Sequence, residues 1–207
     1  MNIRVPIEYD SYYHIFNRGV NGTTVFFEEE NYLYFLKLYS RYIEPVAETF
    51  AWVLLKNHFH ILLRIKDENE IDYIKPNERN KDIKYPNRRK YVPSRQFAHF
   101  FNAYTRGINK KYARTGNIFE RSFKRIKITG EEYFKNLTFY IHNNPVHHKF
   151  VENLYDYKWS SIHTILSEQS TKLNRQKIFE WFNSKEEFIE FHRYKQNFEN
   201  EKKFVIE

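Results

Sequence analysis

The residues best suited to chemistry are His58 and His60, separated by Phe59. On a β-strand residues i and i+2 face the same way, with β-carbons about 7 Å apart, so two neutral imidazoles there converge on one ion. Phe59 then points into the core. The same pair, following a turn, also reads as two surface or partly buried histidines. Two imidazoles hold a hard cation weakly, so a metal reading demands an oxygen ligand from elsewhere. A second group, Tyr140-Ile141-His142-Asn143-Asn144-Pro145, sets Tyr140 and Asn144 four residues apart on one helix face, with Tyr133 and Leu137 behind them. Taken alone, Tyr140 reads first as one more of 17 tyrosines in an aromatic core, with Asn144 as a C-cap. An ordinary phenol, with a pKa of about 10, is a poor nucleophile at neutral pH. Beside a divalent cation that polarises a phosphate, it becomes a useful one. Each group supplies what the other lacks.

A sheet and a helix must hold these side chains. Alternation over 11–18 predicts a strand with His14 and Phe16 on one side, ending in an Asn17-Arg18-Gly19 turn. Residues 28–41 carry Tyr32, Phe35, Leu36 and Tyr39 at helical spacing. Residues 49–55 and 58–65 read as a central antiparallel hairpin around the Lys56-Asn57 turn. Residues 66–93, with three of the six prolines, read as a long basic loop that orders on a ligand or not at all. Ser94 is positioned to cap a helix to about 113, with Phe97, Phe100, Phe101, Tyr104, Ile108 and Tyr112 apolar and Arg106, Lys110 and Lys111 opposite. Residues 118–128 suggest a strand with one wet, positive face. Thr129 and Glu132 form a capping-box pattern opening a helix that halts near 143, before Pro145. The order strand, helix, strand, strand, helix, strand, helix predicts an α+β sandwich of ferredoxin-like or RRM-like kind, an antiparallel sheet with helices packed to one side. Phe179, Trp181, Phe182, Phe188 and Phe191 among charges predict amphipathic helices over 175–197. The expected division is a domain over 1–166 and a C-terminal helical extension over 167–207.

Composition narrows the function classes. The 207-residue chain is 41% hydrophobic and 19% aromatic, ample for a core without a staple. It has no cysteine, which excludes disulfides, thiolate zinc, iron–sulfur clusters and a cysteine nucleophile. No apolar run is long enough for a membrane span and the opening residues do not form a secretory signal, so a cytoplasmic protein is expected. The net charge of +8 favours a polyanionic partner. Residues 81–127 hold 14 Lys and Arg against two acidic residues, a local +12, while the rest carries 20 basic against 24 acidic. That asymmetry reads as a binding face, with Tyr104, Tyr112, Phe119 and Phe123 as candidate stacking platforms for a single strand. A small-molecule metallohydrolase fits less well, for there is no HExxH helix and no acidic base beside His58 or His60.

Four segments, AWVLLKNHFHILLR, RTGNIFERSFKRIKI, YIHNNPVHHKFV and YDYKWSS, occur in an order that resembles the REP-associated tyrosine transposases of the single-tyrosine HUH superfamily. The resemblance runs from Tyr12 to Ser161. It implies a metal-dependent endonuclease and strand transferase acting on single-stranded or hairpin DNA, as monomer or homodimer, without a nucleotide cofactor. By the same likeness His58 and His60 match the histidine pair, Tyr140 the nucleophile that becomes linked to a 5′ phosphate, and Asn144 the polar residue completing a Mg²⁺ or Mn²⁺ shell. DNA contacts are expected from Arg18, Arg106, Lys110, Lys111, Arg121, Lys124 and Arg125. The chain departs from the pattern in having Lys56-Asn57 where many relatives show Met-Pro, and in its 66–93 insertion and its tail. The alternative is a nucleic-acid-binding protein of the same fold that has lost catalysis.

Overall fold

The computed structural model describes residues 5–73 and 89–204, with side chains through residue 198. Most of the 66–93 insertion, with Lys81, Lys84 and Arg88 of the basic segment, lies outside the described residues. Four strands, β1 (Tyr12–Arg18), β2 (Ala47–Leu55), β3 (His58–Ile65) and β4 (Lys124–Ile128), form one antiparallel sheet in the order β2-β3-β1-β4. With β3 between β1 and β2, and β1 between β3 and β4, each crossover joins parallel strands and needs a helix. These helices are α1 (Glu29–Tyr42) and α2 (Pro93–Lys111). Two interleaved split β-α-β units are the ferredoxin-like arrangement expected from the element order.

Helices α1 and α2 cover one face, where Phe35, Leu38, Phe97, Phe100, Tyr104 and Ile108 bury against Tyr13, Ile15, Phe59, Ile61 and Leu63. Each such side chain contributes about 1.5–3 kcal/mol relative to exposure. The expectation of helices on one side holds for these two and fails for α3 (Glu131–His147), which covers the opposite face. That face carries its own apolar strip. A register shift between Thr49 and Ala51 leaves Phe50 and Ala51 both in it, beside Val53, Leu55 and Leu62, and α3 answers with Phe134, Leu137 and Ile141. The C-terminal helices α4 (Ile162–Leu166), α5 (Arg175–Trp181) and α6 (Lys185–Phe204) add Ile165, Ile178, Phe182 and Phe188 to the same cluster. The free edge of β2 is paired by residues 159–161, through Leu54 N–H to Trp159 O (3.0 Å) and Ser161 N–H to Trp52 O (2.9 Å).

Several boundaries differ from the sequence reading. Ser94 is not a cap: Pro93 takes the first helical position after Val92, where its missing N–H costs nothing. The 118–128 strand shortens to β4, because Ser122 adopts a left-handed φ of 61° and breaks it. Its charges also divide between faces, Lys124 on the His14 side and Arg125 and Lys127 on the other, as a period of two requires. The Thr129 capping box does not form, since Gly130 (φ 89°) turns the chain into α3 without a side-chain cap. Helix α3 continues through Pro145 to His147. Only two helical residues follow the proline, and Lys149 N–H to Val146 O (3.0 Å) and Phe150 N–H to Pro145 O (2.9 Å), with Lys149 left-handed at 59°, close the end. The described ends of the 66–93 insertion pair with each other: Tyr73 bridges to Lys90, and Tyr91 N–H bonds Asp72 O at 3.2 Å.

Candidate active site

His58 and His60 project from β3 on the α3 side, their rings 5.4 Å apart and nearly perpendicular. Period two puts them there, and the opposite parity sends Phe59 into the α1/α2 core. Strand β1 adds His14 on the same side, with its Nε2 2.9 Å from His60 Nδ1. The β2–β3 turn adds Asn57, whose Oδ1 lies 2.7 Å from His58 Nδ1 and whose amide nitrogen is directed to Gly22 O. An Asn57 oxygen so placed accepts the proton of His58 Nδ1, leaving the lone pair on Nε2. If His60 Nδ1 donates to His14 in the same way, the outward atoms of both rings are acceptors.

Helix α3 brings the third contributor. Asn144, fully buried, places Oδ1 3.1 Å from His58 Nε2, and its Nδ2 is buried without a hydrogen-bond partner. Two acceptors face each other here. They repel unless a cation lies between them, or unless the amide turns to donate. Donors at adjacent corners of an octahedral ion, about 2.1 Å from it, stand about 3 Å apart, so the spacing fits a shared Mg²⁺ or Mn²⁺. Among the described residues no group of three or more His, Asp or Glu could hold a metal, so any ion in this cleft depends on the Asn144 amide and on water. Two neutral imidazoles and one amide would make an open, weakly held site for such an ion, of the kind that retains waters for substrate oxygens to replace.

Tyr140, one turn before Asn144, is 44% exposed, so it is not a core tyrosine. Its ring stands edge-on to His60 (5.4 Å, 85°) and to His14 (6.1 Å, 78°). Burial holds every imidazole here toward the neutral form. It lowers His14 to about 3. It also pushes His60 well down, helped by His14, His58 and His148. Burial lowers His58 too, opposed by the Asn144 oxygen, which would accept from a protonated ring, and assisted by His148 and Arg18. Neutral imidazole is the ligating form.

A cleft of about 440 Å³ opens beside the histidines, lined also by Phe16, Arg18, Lys124, His148 and Phe150. Arg18 and Lys124 share the Glu120 carboxylate at 2.8 and 3.3 Å. Of the other cations expected to contact DNA, Arg106, Lys110 and Lys111 sit exposed on α2, in the layer behind the sheet, and Lys111 pairs with Glu28. Arg125 turns to the Val5 carbonyl, and Arg121 is exposed on the bend before β4. The structure thus brings two of the seven to the cleft. The expected stacking platforms belong elsewhere: Tyr104 and Phe119 are buried, and Tyr112 and Phe123 pack against the α1/α2 core. Phe16 and the 45% exposed Phe150 line the cleft instead. His14 and Asn57 were legible as a same-side strand residue and a turn residue, and only their partners give them a role. A larger hollow of about 630 Å³, between α1, β2 and 164–174, holds none of the candidate residues.

No protein-family model matches this chain. No curated protein matches it either. A solved structure of a REP-associated tyrosine transposase bound to a REP hairpin is similar in fold, with a TM-score of 0.59 over 81% of this chain and 86% of that one, at 15% identity. No helix among the described residues is long and apolar enough to cross a membrane.

Proposed function

We propose that this chain is a metal-dependent single-stranded DNA endonuclease and strand transferase of the tyrosine transposase kind. The observation that carries the reading is the convergence of Tyr140 and Asn144, one turn apart on α3, upon His58 and His60 of β3. The neighbour bound to a hairpin supports it at the level of fold. His58 Nε2, His60 Nε2 and Asn144 Oδ1 would hold Mg²⁺ or Mn²⁺, which when bound supplies a Lewis acid for the phosphate oxygens. The Tyr140 oxygen attacks phosphorus, forming a phosphotyrosine bond as the bond to the 3′ oxygen breaks. The phenol gives up its proton and the departing oxygen gains one. Attack by a 3′ hydroxyl on the phosphotyrosine reverses the exchange, so the number of phosphodiester-level bonds is conserved and no nucleotide is consumed. Arg18 and Lys124 place the backbone in the cleft, and Phe150 offers an aromatic face to an unpaired base.

The test is a covalent adduct on labelled hairpin DNA with a single-stranded flank, in the presence of Mn²⁺. Wild-type protein forms it, and Tyr140→Phe reduces it by at least about 10³-fold while binding the same DNA. Salt-sensitive binding with no adduct from any hairpin tried would favour the catalytically silent alternative.

A further inference from the structure

Behind α3, away from the cleft, lies a buried chain of hydrogen bonds that the strand-cleavage chemistry does not use. His192 on α6 places Nδ1 2.8 Å from the Phe188 carbonyl and Nε2 2.9 Å from His142 Nδ1. His142 Nε2 lies 2.9 Å from Ser161 Oγ, and that oxygen accepts the Trp52 N–H at 2.9 Å. His142, His192 and Ser161 are all fully buried. A serine, a histidine and a further polar group in a row would elsewhere suggest a nucleophile, but no substrate reaches this one.

Every proton in the row is assigned by chemistry. A carbonyl only accepts, so His192 Nδ1 carries the hydrogen and its Nε2 must accept. His142 Nδ1–H donates to it, which leaves His142 Nε2 to accept from the Ser161 hydroxyl. Burial favours the neutral rings this requires, lowering His192 to about 4 and His142 well down. The row ties three elements together: the β2 edge with its covering segment, α3, and the C-terminal helix. Helix geometry puts His142 about 160° around α3 from both Tyr140 and Asn144, so the row grips the back of the helix whose front faces the histidines.

We propose that His192 is a positioning residue for the active site, setting the rotation of α3 through His142 and Ser161 and so making the C-terminal segment part of the catalytic scaffold. The catalytic part of this inference rests on the strand-cleavage reading. A rotation of roughly 10° about the α3 axis would carry the Tyr140 oxygen by more than about 1 Å, and misplacement on that scale costs on the order of 10²-fold in rate. Packing alone would not define the rotation so closely, because Phe182 and Phe188 meet α3 through non-directional contacts.

Three full-length variants test it. His192→Leu fills the space without an acceptor for His142, and His192→Gln restores an acceptor oxygen. Ile178→Val loosens the same apolar cluster without touching the row. Mn²⁺ affinity, adduct rate at saturating hairpin DNA, DNA affinity and melting temperature are measured for each. His192→Leu is expected to lower Mn²⁺ affinity and adduct rate about 10- to 100-fold with DNA affinity within about twofold. His192→Gln recovers most of both, and Ile178→Val leaves both within about twofold. The proposal is overturned if folded His192→Leu keeps wild-type Mn²⁺ affinity and rate, or if Ile178→Val at a comparable melting temperature loses as much. Should His192→Leu fail to fold, Ser161→Ala breaks the other end of the row and is judged by the same comparison. Wild-type protein that binds Mn²⁺ yet forms no adduct would sink strand cleavage alone, with the Mn²⁺ titrations still deciding on His192; wild-type protein that binds no Mn²⁺ overturns both.

Discussion

His14 Nε2 lies 2.9 Å from His60 Nδ1, a bond between neighbouring central strands that presents the opposite nitrogen of His60 toward α3. An imidazole held through one nitrogen has a defined tautomer and ring plane at the other, which is how an outer residue tunes a metal ligand without touching the metal. His14→Phe keeps a stacked ring and removes the acceptor. Mn²⁺ affinity is expected to fall about 10- to 100-fold in calorimetric titration, and an unchanged affinity would show that His60 needs no such partner.

Phe150 is held at the cleft mouth by the left-handed turn at Lys149, with its ring 45% exposed beside two cations. A base stacked on it contributes about 1–3 kcal/mol. Phe150→Ala should weaken single-strand binding by about 5- to 100-fold, and Phe150→Trp should restore it, with little change in melting temperature. Equal affinities for the three proteins would remove the base from this ring.

Lys124 and Arg106 make a contrasting pair, one lining the cleft and one in the layer behind the sheet. Each phosphate contact to a single strand adds about 0.7 to the slope of log affinity against log salt. Lys124→Ala is expected to reduce that slope by about this amount and Arg106→Ala to change it little. The opposite ranking would move the strand's path to α2.

His192 carries a pH dependence of stability with a definite sign. Burial lowers it to about 4, against its Nδ1–H bond to the Phe188 carbonyl, which pulls the other way. An unfolded chain has this histidine near pKa 6.5. Above about 6.5 both states are neutral and the contribution is complete. Between about 6.5 and 4 the unfolded chain takes up a proton that the folded chain refuses, so stability falls as pH falls, by about 1.4 kcal/mol per unit. Urea melts of wild type and His192→Gln at pH 6.5 and 5.0 should differ by about 1.5 kcal/mol in their loss, the wild type losing more. Parallel losses would mean that His192 is already charged in the fold.

Local periodicity was enough to place the strand carrying both histidines and the helix carrying Tyr140 and Asn144, because covalent geometry alone dictates which residues share a face over a few residues. The element order likewise determined the ferredoxin-like topology, since parallel strands separated by one neighbour leave few ways to connect them. At Pro145 the same local rules stop the helix too early: α3 runs two residues past the proline, where bonds from His148, Lys149 and Phe150 satisfy the last carbonyls. Which side chains meet across the fold was decided elsewhere. His14 comes to His60, Asn144 to His58 and His192 to His142 across separations of 46, 86 and 50 residues. The basic segment, continuous along the chain, is divided between two layers because α2 and β4 bury different faces. Strand register and helix docking follow from the burial of apolar surface contributed by the whole chain, a quantity that no single stretch of sequence contains, and so only the tertiary structure assembles the cleft.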